Sequence, residues 1–223
     1  MNERVIWDFL LNATGNACGA AAIMGNLMAE SSLKPTCATG KNKTANYVTD
    51  ADNGAVDFAN DGVAFGLVQW CYKTRKAGLL AYAKSTGRSV GHLQMQLEYL
   101  VKEMSESYKT AWNAVCNATD LRTASDTVML KYEKPAGTSE AAKKKRADYA
   151  KLFYIEYGIP DPEPASEKWI RAKSQVNVRL APTTVIPKIG ELKKGDELEL
   201  INSDDHWCKV AVYVMKKFVE EIG

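Results

Sequence analysis

The chain has no apolar run long enough to span a bilayer, two histidines and no closely spaced cysteine pair among its 223 residues. Each shortage excludes something. Without a long apolar run, no membrane insertion is expected. Without a basic start followed by an apolar stretch, no secretory leader is expected: Met1-Asn2-Glu3 runs straight into Val5-Ile6-Trp7 and Phe9-Leu10, which read as the first turns of a domain. The five cysteines, Cys18, Cys37, Cys71, Cys116 and Cys208, are widely spaced and odd in number. That pattern predicts neither a zinc site nor a redox motif, and it favours free thiols in a protein made in the cytosol. No metal and no cofactor is expected. Charge of one sign is lacking too: Lys and Arg total 29 against 27 for Asp and Glu, which gives no reason to expect a nucleic acid partner.

What is present is organised in two parts. Up to Tyr157 the apolar spacing is helical. Then Gly158-Ile159-Pro160-Asp161-Pro162-Glu163-Pro164 places three prolines close together, which cannot continue a helix and form a stiff, extended linker. Beyond it the period switches to two, with strands expected at 175–179, 197–201 and 207–210 between turns at Pro182-Thr183-Thr184 and Lys194-Gly195-Asp196. The expected arrangement is therefore α+β and multidomain: a mainly helical domain over 1–158, a Pro-rich linker over 159–165 and a small β-barrel over 166–223.

Within the helical part, Ala20, Ile23, Met24, Leu27 and Glu30 share one face of a helix from Ala17 to Glu30, so Glu30 stands where a core residue is expected. Ser31-Ser32 and Pro35 stop that helix, leaving Glu30 at the negative end of its dipole. Apolar surroundings and the dipole both disfavour a charged carboxylate. A carboxylic acid kept protonated near neutrality is what a general acid for glycoside cleavage needs. Downstream, Asp61-Gly62-Val63-Ala64-Phe65-Gly66-Leu67-Val68-Gln69-Trp70 joins an acidic turn to an apolar run and an amide beside an indole. Gln69 and Trp70 are the types that pair on sugars, the amide on hydroxyls and the ring on a pyranose face. Phe65 and, further on, Tyr132 join them as candidate substrate-binding residues. The competing reading of Asp61 is a turn residue with no chemistry.

Further helices are expected. One covers Gly91 to Met104, with His92 as an exposed helical residue; another is capped by Asp120 and runs through Ala124, Val128 and Tyr132. A last one is capped by Thr138 or Ser139 and carries Ala142, Arg146, Tyr149, Leu152 and Phe153, with Lys143 to Arg146 read as its solvated face. His92 and His206 fall in different expected domains, which weakens a Cys/His peptidase as the rival enzyme class.

Met24-Gly25-Asn26-Leu27-Met28-Ala29-Glu30-Ser31-Ser32-Leu33-Lys34-Pro35 followed by Phe65-Gly66-Leu67-Val68-Gln69-Trp70 resembles the phage tail lysozyme family, and more distantly goose-type lysozymes and lytic transglycosylases. The similarity continues through Gln94 to Leu100, Ala124-Ser125-Asp126, Lys131-Tyr132-Glu133-Lys134-Pro135 and Lys144 to Ala147, covering about Val5 to Tyr157. Ala64-Phe65 stands where the family usually has Gly-Tyr, and Cys71 where Thr is common. The resemblance implies a lysozyme-like fold and cleavage of the β-1,4 bond between N-acetylmuramic acid and N-acetylglucosamine in bacterial peptidoglycan, with Glu30 as catalytic acid. Among Asp50, Asp52, Asp57 and Asp61 it favours Asp61 as the base of an inverting hydrolysis. Without such a base Glu30 would act alone and leave a 1,6-anhydro sugar, as in lytic transglycosylases. After the linker, Val176-Asn177-Val178-Arg179, Pro182, Ile189 to Asp196, Trp207 and Lys209-Val210 resemble the bacterial SH3 family, which implies a wall-binding module. The usual glycine before the final strand is replaced, with Val212 ahead of Tyr213-Val214. The whole reads as a monomeric, phage-type lysin, released with a holin or carried on a virion. A non-catalytic wall-binding tail protein is the remaining alternative.

Overall fold

The computed structural model describes residues 2–158, 168–179, 184, 188–203, 206 and 208–210. The linker expected over 159–165, the Pro182-Thr183 turn, Trp207 and the Tyr213-Val214 strand lie outside the described residues. By its internal contacts the chain divides into two compact units, Met1–Gly158 and Ile159–Gly223.

The first unit contains α1 (Asn2–Thr14), α2 (Ala17–Ser31), β1 (Ala38–Thr39), α3 (Tyr47–Asp52), β2 (Ala64–Phe65), α4 (Lys73–Thr86), α5 (Leu93–Ser107), α6 (Lys109–Cys116), α7 (Leu121–Val128), a π-helical turn (Met129–Glu133) and α8 (Glu140–Tyr157). Helix α2 is the hub, packed by α1, α6, α7 and α8. Its residues are buried on every side from Cys18 to Leu27, not on one stripe only. The reason is its run of small residues. At Gly25 an added Cβ would lie 2.6 Å from the Ala150 nitrogen and 2.7 Å from the Ala150 Cβ, so glycine is what lets α8 approach this closely. Asn16 caps α2 by accepting from the Gly19 N–H, and the Asn26 side chain donates to Ala22 O (2.9 Å) and to Ser125 O (3.1 Å), tying α2 to α7.

Helix α2 ends through two consecutive left-handed residues, Ser32 (φ 52°) and Leu33 (φ 57°). The Ser31 hydroxyl donates to Leu67 O (2.9 Å), which fixes the end of α2 against the 65–70 loop. That loop closes on itself through reciprocal Phe65 and Trp70 backbone bonds of 3.0 and 2.9 Å, and β2 pairs with β1 as Ala38↔Phe65 and Thr39↔Ala64. Buried Gln96 spans the junction, accepting from the Leu67 N–H and donating to Pro35 O and Val90 O.

Two helices depart from the periodicity. Helix α5 starts at Leu93, and exposed His92 is its N-cap: the ring Nδ1 accepts from the Met95 N–H (3.3 Å). Helix α7, capped by Asp120 as expected, does not continue evenly to Tyr132; it widens after Val128, and the Lys134 N–H reaches back five residues to Met129 O (2.8 Å) with Lys134 left-handed (φ 50°). In α8, capped by Ser139, Leu152 is exposed and Arg146 is buried, so Arg146 is not part of a solvated face.

The second unit is antiparallel. Strands β3 (Lys168–Arg171), β6 (Glu197–Ser203) and β7 (Cys208–Val210) form one sheet in the order β3-β6-β7, and β4 (Val176–Val178) pairs with β5 (Gly190–Leu192). Strands are therefore found at 176–178, 197–203 and 208–210, where the sequence leads one to expect them. Among the described residues these are two separate sheets and no closed barrel.

Candidate active site

At the end of α2 the Glu30 side chain is 18% exposed and forms an ion pair with the Arg146 guanidinium of α8. The close α2–α8 contact at Gly25 sets the register that brings the two together. Nothing in a single helix requires this pairing: Arg146 is 116 residues from Glu30. Yet Arg146, Ala150 and Phe153 follow the i, i+4, i+7 spacing and are all buried, a signal that marks Arg146 as core-facing.

A second carboxyl stands nearby. Glu133 closes the π-helical turn and is 8% exposed; its Oε1 is buried without a hydrogen-bond partner. Burial first, and the Glu30 charge second, push its carboxyl well above the ordinary carboxylate range, against the opposing effect of Arg75 and Arg146.

Behind it lies a closed polar cluster. Arg75 of α4 grips Glu103 of α5 through two bonds of 2.8 Å, and the Trp70 indole N–H (2.9 Å) and Tyr132 hydroxyl (2.8 Å) both donate to Glu103 Oε2. The Arg75 guanidinium also lies over the Tyr132 and Tyr108 rings, at 4.7 and 5.2 Å from their centroids. With its fork, its carboxylate and both rings engaged, this cluster fixes the π-helical turn that presents Glu133.

Asp61 belongs to another network. Its Oδ1 accepts from the Lys76 ammonium (2.5 Å) and the Val63 N–H (2.9 Å), and its Oδ2 from the Tyr47 hydroxyl (2.5 Å). Lys76 is wholly buried and donates also to Tyr47 Oη and Val63 O, both at 2.8 Å. Burial opposes ionisation of Asp61, but the bonds from Lys76, Tyr47 and Val63 outweigh it and hold the carboxyl below its ordinary value. Asp61 is thus a saturated, weakly basic carboxylate pinning the 37–70 region. Of the other acids in that region, Asp50 accepts from the Thr44 hydroxyl and Asp52 from the Val90 N–H, while Asp57 is exposed.

The sugar-contact expectation needs correction. Trp70 and Phe65 have no exposed surface and Tyr132 has 1%, so none presents a ring face to a ligand. Trp70 and Tyr132 serve Glu103, and Phe65 packs on Tyr47 and Phe58. Gln69, at φ 53°, spends its amide N–H groups on Cys37 O and Gly66 O, and its oxygen on the Thr39 hydroxyl. An aromatic at the end of an apolar run satisfies a core as well as a sugar, and the sequence does not distinguish the two.

Residues 1–157, which hold this helical unit, match the model of the phage tail lysozyme family. The chain belongs to the phage tail lysozyme family. No curated protein matches it. Membership points to a phage peptidoglycan hydrolase of lysozyme-like, glycosidase type, with peptidoglycan as substrate. The mainly helical first unit with its small β1–β2 ladder fits a lysozyme-like fold. Burial, then the Asp120 charge, push the Cys18 thiol up to about 12, which makes Cys18 a poor nucleophile. Among the described residues all five cysteines are free, none of the His, Cys, Asp and Glu side chains cluster as metal ligands, and no helix is long and apolar enough to cross a membrane.

Proposed function

We propose that the protein cleaves the β-1,4 bond between N-acetylmuramic acid and N-acetylglucosamine, with Glu30 protonating the leaving oxygen. The observation that carries this reading is the placement of Glu30: a partly exposed carboxyl at the terminus of a buried helix, held in an ion pair by Arg146 of α8. Fixing the carboxyl in one orientation supplies the positioning that general acid catalysis needs.

Two courses follow protonation. In an inverting hydrolysis Asp61 holds a water on the opposite face of the sugar, which requires it to release donors from Lys76, Tyr47 or Val63. The saturation of Asp61 favours a second course, in which Glu30 returns as base and the muramic acid 6-hydroxyl attacks its own anomeric carbon, giving a 1,6-anhydro end. The second unit is proposed as an SH3-like module over 166–223 that holds the enzyme on the wall, beyond a Pro-rich tether over 159–165.

Mass spectrometry of fragments released from purified peptidoglycan tests this directly. Disaccharide-peptides ending in muramic acid, reducing or anhydro, are the expected products, and the form of the end separates the two courses. Release of peptides with the glycan strands intact would overturn the glycosidase reading.

A further inference from the structure

Two arginines of the first unit each hold a glutamate, and they do so differently. Arg75 of α4 uses one edge of its guanidinium in full: Nε donates to Glu103 Oε1 and Nη2 to Glu103 Oε2, both at 2.8 Å. On that edge two N–H bonds run parallel and match the two oxygens of a carboxylate. Arg146 of α8 gives Glu30 one nitrogen of the same edge. Its Nη2 donates to Glu30 Oε1, while its Nε is buried and finds no acceptor among the described residues. Glu30 Oε2 enters no hydrogen bond among the described residues either. Exposure of the arginines does not separate the two cases, since their side chains are 11% and 10% exposed. The acids differ: Glu103 is closed in by the Trp70 and Tyr132 donors, whereas Glu30 stands partly open at the end of α2. Nor is Arg146 loosely placed. Gly25 leaves room for its backbone carbonyl where α8 lies against α2, so both partners stand on fixed helices. A buried N–H left unpaired on such a scaffold carries the cost of its lost hydration, and calls for an explanation.

We propose that Arg146 is the positioning residue of the acid: Nη2 fixes Glu30 Oε1, Oε2 is the atom that passes the proton, and the idle Nε–H closes on Oε2 once that proton has gone. This rests on Glu30 being the general acid. A neutral carboxyl offers one strong acceptor oxygen and an ionised one offers two, so the edge fits both states of an acid that gives a proton away and takes one back. As the glycosidic C–O bond breaks, its electron pair goes to the leaving oxygen, which takes the proton from Oε2 and leaves Glu30 with the negative charge. The second N–H then meets that charge, completing the two-point grip that Arg75 already makes on Glu103. Arg146 thus binds Glu30 more strongly after proton transfer than before it. A group that does so speeds the chemical step without adding to substrate affinity. When Glu30 is protonated again, by solvent or by the attacking 6-hydroxyl, the grip reopens to one point.

The test is steady-state cleavage of purified peptidoglycan by the full chain and by Arg146→Lys, which keeps the charge and most of the stem but loses the paired N–H edge. The value of kcat should fall at least about tenfold with KM little changed. An unchanged kcat overturns the proposal and leaves Glu30 as the acid, whereas full activity of Glu30→Gln removes the reading on which it rests. In the double variant Glu30→Gln with Arg146→Lys, the lysine should cost nothing beyond what Glu30→Gln already costs, because Arg146 acts only through the ionisation of Glu30. A residue that merely held α8 in place would go on costing in that background, so additive losses overturn the proposal. Nuclear magnetic resonance supplies a readout that needs no change at Arg146. At pH 8, above the ordinary carboxylate range, the Arg146 Nε–H proton signal should lie downfield in the wild type relative to Glu30→Gln, where no carboxylate closes on it. Equal positions in the two proteins would contradict the proposal whether or not the arginine variant folds.

Discussion

Glu30 and Arg146 show how much of this site depends on single residues far apart in the chain. Helical spacing alone picks out Glu30 as a polar group in line with apolar residues; the structure places it at the partly exposed end of a helix that is otherwise buried on every side, paired with Arg146. Arg146 is legible only if the run Lys143 to Arg146 is read against Ala150 and Phe153, because Lys144 and Lys145 are exposed, Lys143 is half-buried and Arg146 is buried. Glu133 leaves a fainter trace, since a π-helical turn shifts the register after Val128 and no local propensity marks it. Its stability contribution has a definite sign. A carboxyl whose folded value is raised costs nothing below its ordinary range and destabilises progressively as pH rises above that range. Glu133→Gln is therefore expected to raise the melting temperature at pH 7 and to leave it nearly unchanged at about pH 4. Equal effects at both pH values would show that Glu133 is not a buried, strained acid.

At the scale of elements, the 37–70 region is held by Asp61, Tyr47 and Lys76, a buried trio that the sequence does not reveal. Asp61-Gly62 reads as an ordinary turn or as a catalytic base, and nothing nearby in sequence announces that a lysine of α4 will be buried against it. Removing one member strands the other. Asp61→Asn is expected to destabilise the protein by roughly 3–5 kcal/mol, because Lys76 is left buried without its counter-ion. Lys76→Met in the same chain should recover part of that loss, since the orphaned charge is gone. Chemical denaturation of the two single variants and the double variant measures this coupling. If Asp61 is purely structural, activity returns with stability in the double variant; if it is the base, the double variant is stable and inactive. The pH dependence runs opposite to that of Glu133: Asp61 is held below its ordinary value, so its contribution is full above about pH 4 and is lost as pH falls through the lowered value. The aromatic residues of the 65–70 loop were ambiguous for a related reason. Periodicity reports burial, and both a core and a sugar site reward a large ring next to an apolar run.

For the molecule as a whole, the change from helices to strands after Tyr157 was readable, and strands are described at 176–178, 197–203 and 208–210. Barrel closure was not, because short strands of period two are compatible with several antiparallel arrangements. The chain is expected to work as two separable parts. A fragment ending at Tyr157 carries the whole of the family match and a complete helical core, so it should fold and cleave soluble glycan. Its activity on intact cells should fall relative to the full chain, because two linked binding modules hold a surface better than one. Equal lysis by fragment and full chain would remove the wall-binding role proposed for 166–223. The central claim, that Glu30 breaks a glycosidic bond, is tested most directly on glycan strands stripped of their peptides, where no other bond of the wall is available. Chromatography of strand lengths should show shortening by the wild-type chain and at least about a hundredfold slower shortening by a folded Glu30→Gln variant. Strands left intact by the wild type, or cut equally fast by the variant, would contradict it.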